Sequence, residues 1–280
     1  MLSRTERHSG RTAGGDAQYD VLCMMSLAQG LLGAASGSLV GFSLGLVGGG
    51  GSILAVPLMV YLVGVPNAHV AIGTSALAVA ASAAFNLVIH ARKGMVKWGC
   101  ASVLAGAGVV GAFLGTLVGK MIDGQHLLTM FAILMLVIAA LMRRRRDHEG
   151  NQFVRLSKTN APLLAGLGLA TGMLSGFFGI GGGFLIVPAL VFATDMPLVY
   201  AVSSSLVAVL AFGLTTAASY AFSGLVDWPL TVVFIAGGLA GGYIGVKSAH
   251  LLAGKRTLLN DVFVGIISCV AIYMLIRSWI

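Results

Sequence analysis

Charged residues along this chain of 280 fall in narrow clusters separated by long uncharged runs. No Asp, Glu, Lys or Arg occurs from Val21 to Ala91, Trp98 to Gly119, Gly124 to Met142, Thr159 to Thr194 or Met196 to Val226. Two shorter clean runs cover Trp228 to Val246 and Val262 to Ile276. A bilayer's hydrocarbon core takes about 20 apolar residues per crossing helix, so each window holds one crossing or a multiple. The pattern predicts an all-α integral membrane protein. A soluble helical core, the plain alternative, has no reason to exclude charge over such lengths.

The apolar pattern occurs twice. "GLVGGGGSILAVPLM" from Gly45 aligns with "GFFGIGGGFLIVPAL" from Gly176, pairing Gly48 with Gly179, Gly50 with Gly181, Gly51 with Gly182 and Pro57 with Pro188. After a one-residue shift, "AIGTSALAV" from Ala71 falls on "AVSSSLVAV" from Ala201, and "HARKGMVKW" from His90 falls on "YAFSGLVDW" from Tyr220. The chain therefore reads as a polar N-terminal arm (1–20), a first transmembrane repeat (21–142), a basic loop (143–160) and a second transmembrane repeat (161–280). Each repeat is expected to hold four or five membrane segments, about eight to ten in all, with glycine-broken or re-entrant half-helices. If the short apolar stretches ending near Gly64 and Thr194 dip in and return, the repeats are parallel; if they cross, the repeats are inverted. Both topologies place nearly the same number of Lys and Arg on the cytoplasmic side, so charge leaves the choice open.

Composition sharpens this picture. Apolar residues make up 58% of the chain and charged residues 9%, against roughly 25% charged in soluble domains. The net charge of +8 would suggest nucleic acid in a soluble protein, but here "RRRR" at Arg143 to Arg146 sits in the long polar loop and marks it as cytoplasmic. The N-terminal arm is no signal peptide, because the apolar run after it continues to residue 91 without a cleavage site. It is expected to be dispensable, with Met24 or Met25 as an alternative start. Cys23, Cys100 and Cys269 are distant and read as packing residues; no cofactor or metal is implied.

Two kinds of glycine are present. Gly33, Gly37, Gly41 and Gly45, like Gly111 and Gly115, recur in steps of four and read as helix-packing stripes. Such glycines are expected to tolerate Ala with modest loss. The clusters Gly48 to Gly51 and Gly179 to Gly183 have consecutive glycines, each costing about 1 kcal/mol of helix propensity, and should break the helix. Backbone freed at membrane depth must be buried in protein or line a cavity. Without Cβ atoms, an anion could touch the freed N–H groups at half-helices beginning near Ser52 and Gly183, each interrupted again by its proline. "GTS" at Gly73 to Ser75 and "SSS" at Ser203 to Ser205 offer hydroxyls either for capping or for an oxyanion. The expected substrate-lining residues are thus Gly48, Gly49, Gly50, Gly51, Pro57, Thr74 and Ser75, with Gly179, Gly181, Gly182, Gly183, Pro188, Ser204 and Ser205. All nine acids lie in the arm, polar turns or segment ends, which favours an anionic substrate over a cation.

A glycine cluster leading into "VP", then "GTS", then a "G-x-V-x-W" turn before a glycine-spaced helix, doubled across a basic loop, resembles the sulfite exporter TauE/SafE family of membrane transporters. The resemblance covers roughly Leu27 to Leu275. It implies a multi-pass permease of the bacterial inner membrane for sulfite, a sulfonate or a related organosulfur anion, driven by an ion gradient rather than ATP. The expected partners are a small anion, the lipid bilayer and a coupling ion, and the oligomeric state is open. Two rivals remain: a non-transporting assembly or partner protein whose glycines serve packing only, and an intramembrane enzyme. The enzyme reading finds no H-E-x-x-H, no paired carboxylates in a span and no Ser-His arrangement with a third orienting group to support it.

Overall fold

A computed structural model describes residues 27–144, 160–181, 183–251 and 256–279. The expected N-terminal arm, most of the basic loop and Gly182 lie outside the described residues. Every regular element among those described is helical. In chain order they are α1 (Leu27–Val47), a short broken segment (Gly48–Leu62), α2 (Ala68–Arg92), α3 (Trp98–Lys120), α4 (Gly124–Arg144), α5 (Ala161–Phe178), α6 (Gly183–Thr194), α7 (Leu198–Phe222), α8 (Trp228–Leu251) and α9 (Arg256–Trp279). Six of them, α1, α2, α3, α5, α7 and α8, are long and apolar enough to cross a membrane by length and composition. The broken segment, α6, and the apolar parts of α4 and α9 (Gly124–Ala140 and Val264–Arg277) are shorter.

Local chemistry sets the helix ends. The Asn67 side chain accepts from the His69 N–H and caps α2, and the Asp227 carboxylate accepts from Leu230 N–H at the start of α8. Gly94 and Gly224 follow α2 and α7 with positive φ of 68° and 69°. Both are the left-handed residue that closes a helix. These two glycines are 130 positions apart in the sequence, as are the starts of α2 and α7 and of α3 and α8.

The glycine stripes join helices from different halves. Along α1 against α8, a Cβ at Gly37, Gly41 or Gly45 would meet the carbonyl of Phe234, Gly238 or Gly242 in turn. Along α5 against α3, Gly168, Gly172 and Gly176 meet Leu104, Gly108 and Ala112 in the same way. Partners ascend together in both pairs, so each pair is parallel. Lipid offers no hydrophobic gain on helix association, and small residues bring the backbones close enough for dispersion and weak C–H···O contacts to hold them. The contacts are tighter than the stripe pattern suggests. Gly111, whose replacement by Ala was expected to be mild, has the Leu169 carbonyl where its Cβ would stand and Met173 N 2.9 Å away.

Helices α2 and α7 pack on each other in opposite directions. His69 at the start of α2 stacks on Tyr220 at the end of α7, with ring centroids 6.2 Å apart, and Ser203 at the start of α7 meets His90 Nδ1 at the end of α2 at 3.0 Å. The broken segment begins at Gly48 beside Val202, at the Ser203 end, and leads to Ala68 at the Tyr220 end. Gly179 lies beside Ile72 at the Tyr220 end, and α6 leads back to Leu198 at the other. Each short segment thus runs between the two ends of the bundle. Tight 3-10 winding over Gly48–Leu54, at about 2.0 Å per residue, helps 15 residues reach roughly 26 Å.

Candidate functional site: the crossing of the two glycine clusters

Both clusters break the chain where expected. Gly48 and Gly179 end α1 and α5 with φ of 70° and 69°, a conformation that costs a residue with a Cβ about 1–2 kcal/mol. Beyond these turns the broken segment and α6 pass across each other between α2 and α7. At the crossing, backbone touches backbone. A Cβ on Gly49 would stand 2.6 Å from Gly183 Cα and 2.9 Å from its carbonyl oxygen, and one on Gly183 would overlap the Gly49 carbonyl. Gly51 is pressed in the same way onto the backbone of Ser43 and Leu44 in α1. At Gly181, φ 70°, an added Cβ would stand 3.3 Å from Val79 of α2 and 3.4 Å from Val209 of α7, a looser fit. Gly50 is buried in the same run.

The glycines therefore serve a close crossing of the 3-10-wound start of the broken segment and the first residue of α6. Freed N–H groups are satisfied locally where partners are resolved. Gly49 N–H donates to Ser205 Oγ at a long 3.4 Å, and Gly179 and Ile180 N–H both donate to the Ser175 carbonyl. Ser205 donates in turn to the Val202 carbonyl, as Ser75 does to the Ile72 carbonyl. Ser75 and Ser205 are fully buried.

Thr74 and Ser204 do something the motif did not foretell. Thr74 Oγ1 accepts from the Asp227 N–H at 3.0 Å, and Ser204 Oγ from the Lys97 N–H at 2.9 Å. Asp227 and Lys97 stand immediately before α8 and α3. Each hydroxyl thus satisfies a turn of the opposite half, one at each end of the molecule. Gly73 and Ser203 explain why these motifs differ. A Cβ at Gly73 would lie 2.8 Å from Tyr220 Cβ and would overlap the Leu225 carbonyl. Ser203 instead reaches His90, the residue that matches Tyr220 in the other half.

The prolines separate. Pro57 is buried and ends a three-residue helical turn before the π-helical Leu58–Leu62. Pro188 is exposed inside α6, which continues to Thr194. Contrary to expectation, Pro188 does not interrupt its half-helix. Pro188 lies past the first turn, so α6 forgoes the one N–H bond that this position would have made to the Phe184 carbonyl and continues around it.

Lys120 was not singled out by the motifs. Its Nζ donates to the Ser219 carbonyl and to Ser219 and Ser223 Oγ at 2.9 and 2.8 Å, and stands 5.0 Å from the Tyr220 ring centroid. It ties the end of α3 to the end of α7. Its only sequence signal is its place as the charge closing an uncharged run. Among the described residues Asp123, Asp195 and Asp227 lie at helix ends and Asp261 lies in the second turn of α9, and no group of three or more His, Cys, Asp or Glu is placed to hold a metal.

Residues 32–274 match the profile of the family described as "Sulfite exporter TauE/SafE". A "Probable membrane transporter protein" of Xylella fastidiosa (strain Temecula1) is 51% identical over 250 residues, covering 87% of this chain and 94% of that protein. "Probable membrane transporter protein YdhB" of Bacillus subtilis (strain 168) is 28% identical over 230 residues, covering 80% and 92%. No solved structure matches the chain.

Proposed function

Because the chain belongs to the sulfite exporter TauE/SafE family of membrane transporters, we propose that it is a secondary permease for a small anion, with sulfite, a sulfonate or a related organosulfur anion as substrate. The observation that carries this reading is the meeting of Gly49 and Gly183 between α2 and α7. Irregular backbone at membrane depth is tolerated only inside protein or along a passage, and broken helices near the midplane are where many secondary transporters hold substrate. Separating the two segments would present their glycine N–H groups and the Ser75 and Ser205 hydroxyls to an oxyanion, with no carboxylate to repel it. The same role is proposed for Gly50 and Gly182 as members of the two clusters in the sequence.

The antiparallel α2 and α7, and short segments that run from end to end, support inverted repeats of five crossings each. On this reading the basic loop faces the cytoplasm and the protein resides in the bacterial inner membrane, with an ion gradient as the energy source. Purified protein in liposomes should exchange radiolabelled sulfite or a small sulfonate faster than empty liposomes do. Absence of flux for every sulfur anion under imposed proton and sodium gradients would overturn the proposal.

A further inference from the structure

A groove opens between α2 and α8 at the basic end of the bundle, away from the crossing. Ile89 and Lys93 of α2 and Tyr243, Val246 and Lys247 of α8 line a cavity of about 300 Å³. Ile89 lies one helical turn below Lys93, and Tyr243 one turn below Lys247, so each helix sets an apolar or aromatic side chain beneath a lysine. Tyr243 is 59% exposed, and its neighbour Ile244 56%. The groove thus presents apolar surface toward the hydrocarbon and two ammonium groups at the level where helices end. No acidic residue lines it.

The lining of the groove is not repeated at the matching positions of the other half. At the matching positions, 130 residues away, Ser219 and Ser223 replace Ile89 and Lys93, and Phe113 and Leu117 replace Tyr243 and Lys247. There Lys120 is hydrogen-bonded into the serine pair. A transport path built from two halves has no use for a feature present at one end only. A single leaflet does, because its lipids meet the protein from one side.

We propose that this groove binds the headgroup phosphate of an anionic phospholipid, with Lys93 and Lys247 engaging the phosphate oxygens and the acyl chains lying along the exposed apolar residues beside Tyr243. The inference does not depend on the transported substrate. Attraction of about fivefold in affinity per lysine is expected for a headgroup at the membrane surface. The test is native mass spectrometry of the full-length protein titrated with phosphatidylglycerol or phosphatidylcholine. Wild type should retain phosphatidylglycerol in preference to phosphatidylcholine. Lys93→Gln and Lys247→Gln should each weaken it about fivefold and the double variant about thirtyfold, whereas Arg92→Gln, exposed on the same turn but outside the cavity, should weaken it clearly less than either. Equal retention of the two lipids, undiminished phosphatidylglycerol affinity in the double variant, or its displacement by millimolar inorganic phosphate would each overturn the assignment.

Discussion

Gly183→Ala is the most informative single change, because it adds one methyl at the point where the two broken segments touch. That methyl would overlap the Gly49 carbonyl oxygen, and the nearby atoms are all main chain, which no rotamer change can move aside. Ordinary Cβ contacts lie at 3.4–4 Å, so the segments must part by roughly 1 Å or more, a displacement of the size that costs about 1–3 kcal/mol in packed interiors. Gly49→Ala, with its Cβ 2.6 Å from Gly183 Cα, should cost a similar amount. Thermal unfolding in detergent should fall by about 2–4 °C per kcal/mol. Transport in liposomes should fall by more than the loss of folded protein explains, since the added methyl blocks re-closure of the crossing. Gly106→Ala and Gly166→Ala, where nothing lies within 4 Å of the new Cβ, supply the comparison and should be neutral or slightly stabilising. If Gly183→Ala melts and transports like wild type, the crossing is not the tight junction described and the reasoning fails.

Thr74→Val and Ser204→Ala each leave a helix-start N–H of the opposite half without its acceptor and should lower stability by about 1 kcal/mol in detergent melts; two silent substitutions would show that water serves equally well. Gly111→Ala should be as damaging as a change in the clusters, because Leu169 and Met173 main-chain atoms already fill the space; wild-type yield and melting would refute this. For orientation, in a cysteine-free background Asp123→Cys should react with a membrane-impermeant thiol reagent in intact cells and Asn151→Cys should not; the opposite pattern would reverse the assigned faces.

Much of this architecture was legible in the sequence because membrane insertion sorts residues coarsely. Uncharged runs gave the helices, and the doubled clusters gave the breaks at Gly48 and Gly179. What stayed hidden was everything decided between halves. The packing of α1 on α8 and α5 on α3 depends on which glycine stripe meets which, and a stripe of period four does not name its partner. The antiparallel pairing of α2 and α7 was equally invisible, since Lys and Arg counts favoured neither topology. Thr74 and Ser204 looked like ligand donors or caps of their own helices; they accept from turns more than 100 residues away, a relation no local spacing encodes. Pro188 read as a second break because a proline removes a helix hydrogen bond, yet α6 runs through it to Thr194 with that one bond missing.

Substrate protection at the crossing is the decisive measurement. Ser205 Oγ accepts from Gly49 N–H, so the Ser205→Cys variant in a cysteine-free background places a thiol beside the meeting point. Reconstituted in liposomes, it is treated with a small sulfonate-bearing thiol reagent under turnover, with and without unlabelled sulfite, sulfonates, chloride or phosphate. The thiol should be modified, and those anions that are transported should slow its modification in a saturable way, while the others leave the rate unchanged. A thiol that never reacts, or one whose rate ignores every transported anion, would place the anion's path elsewhere in the protein.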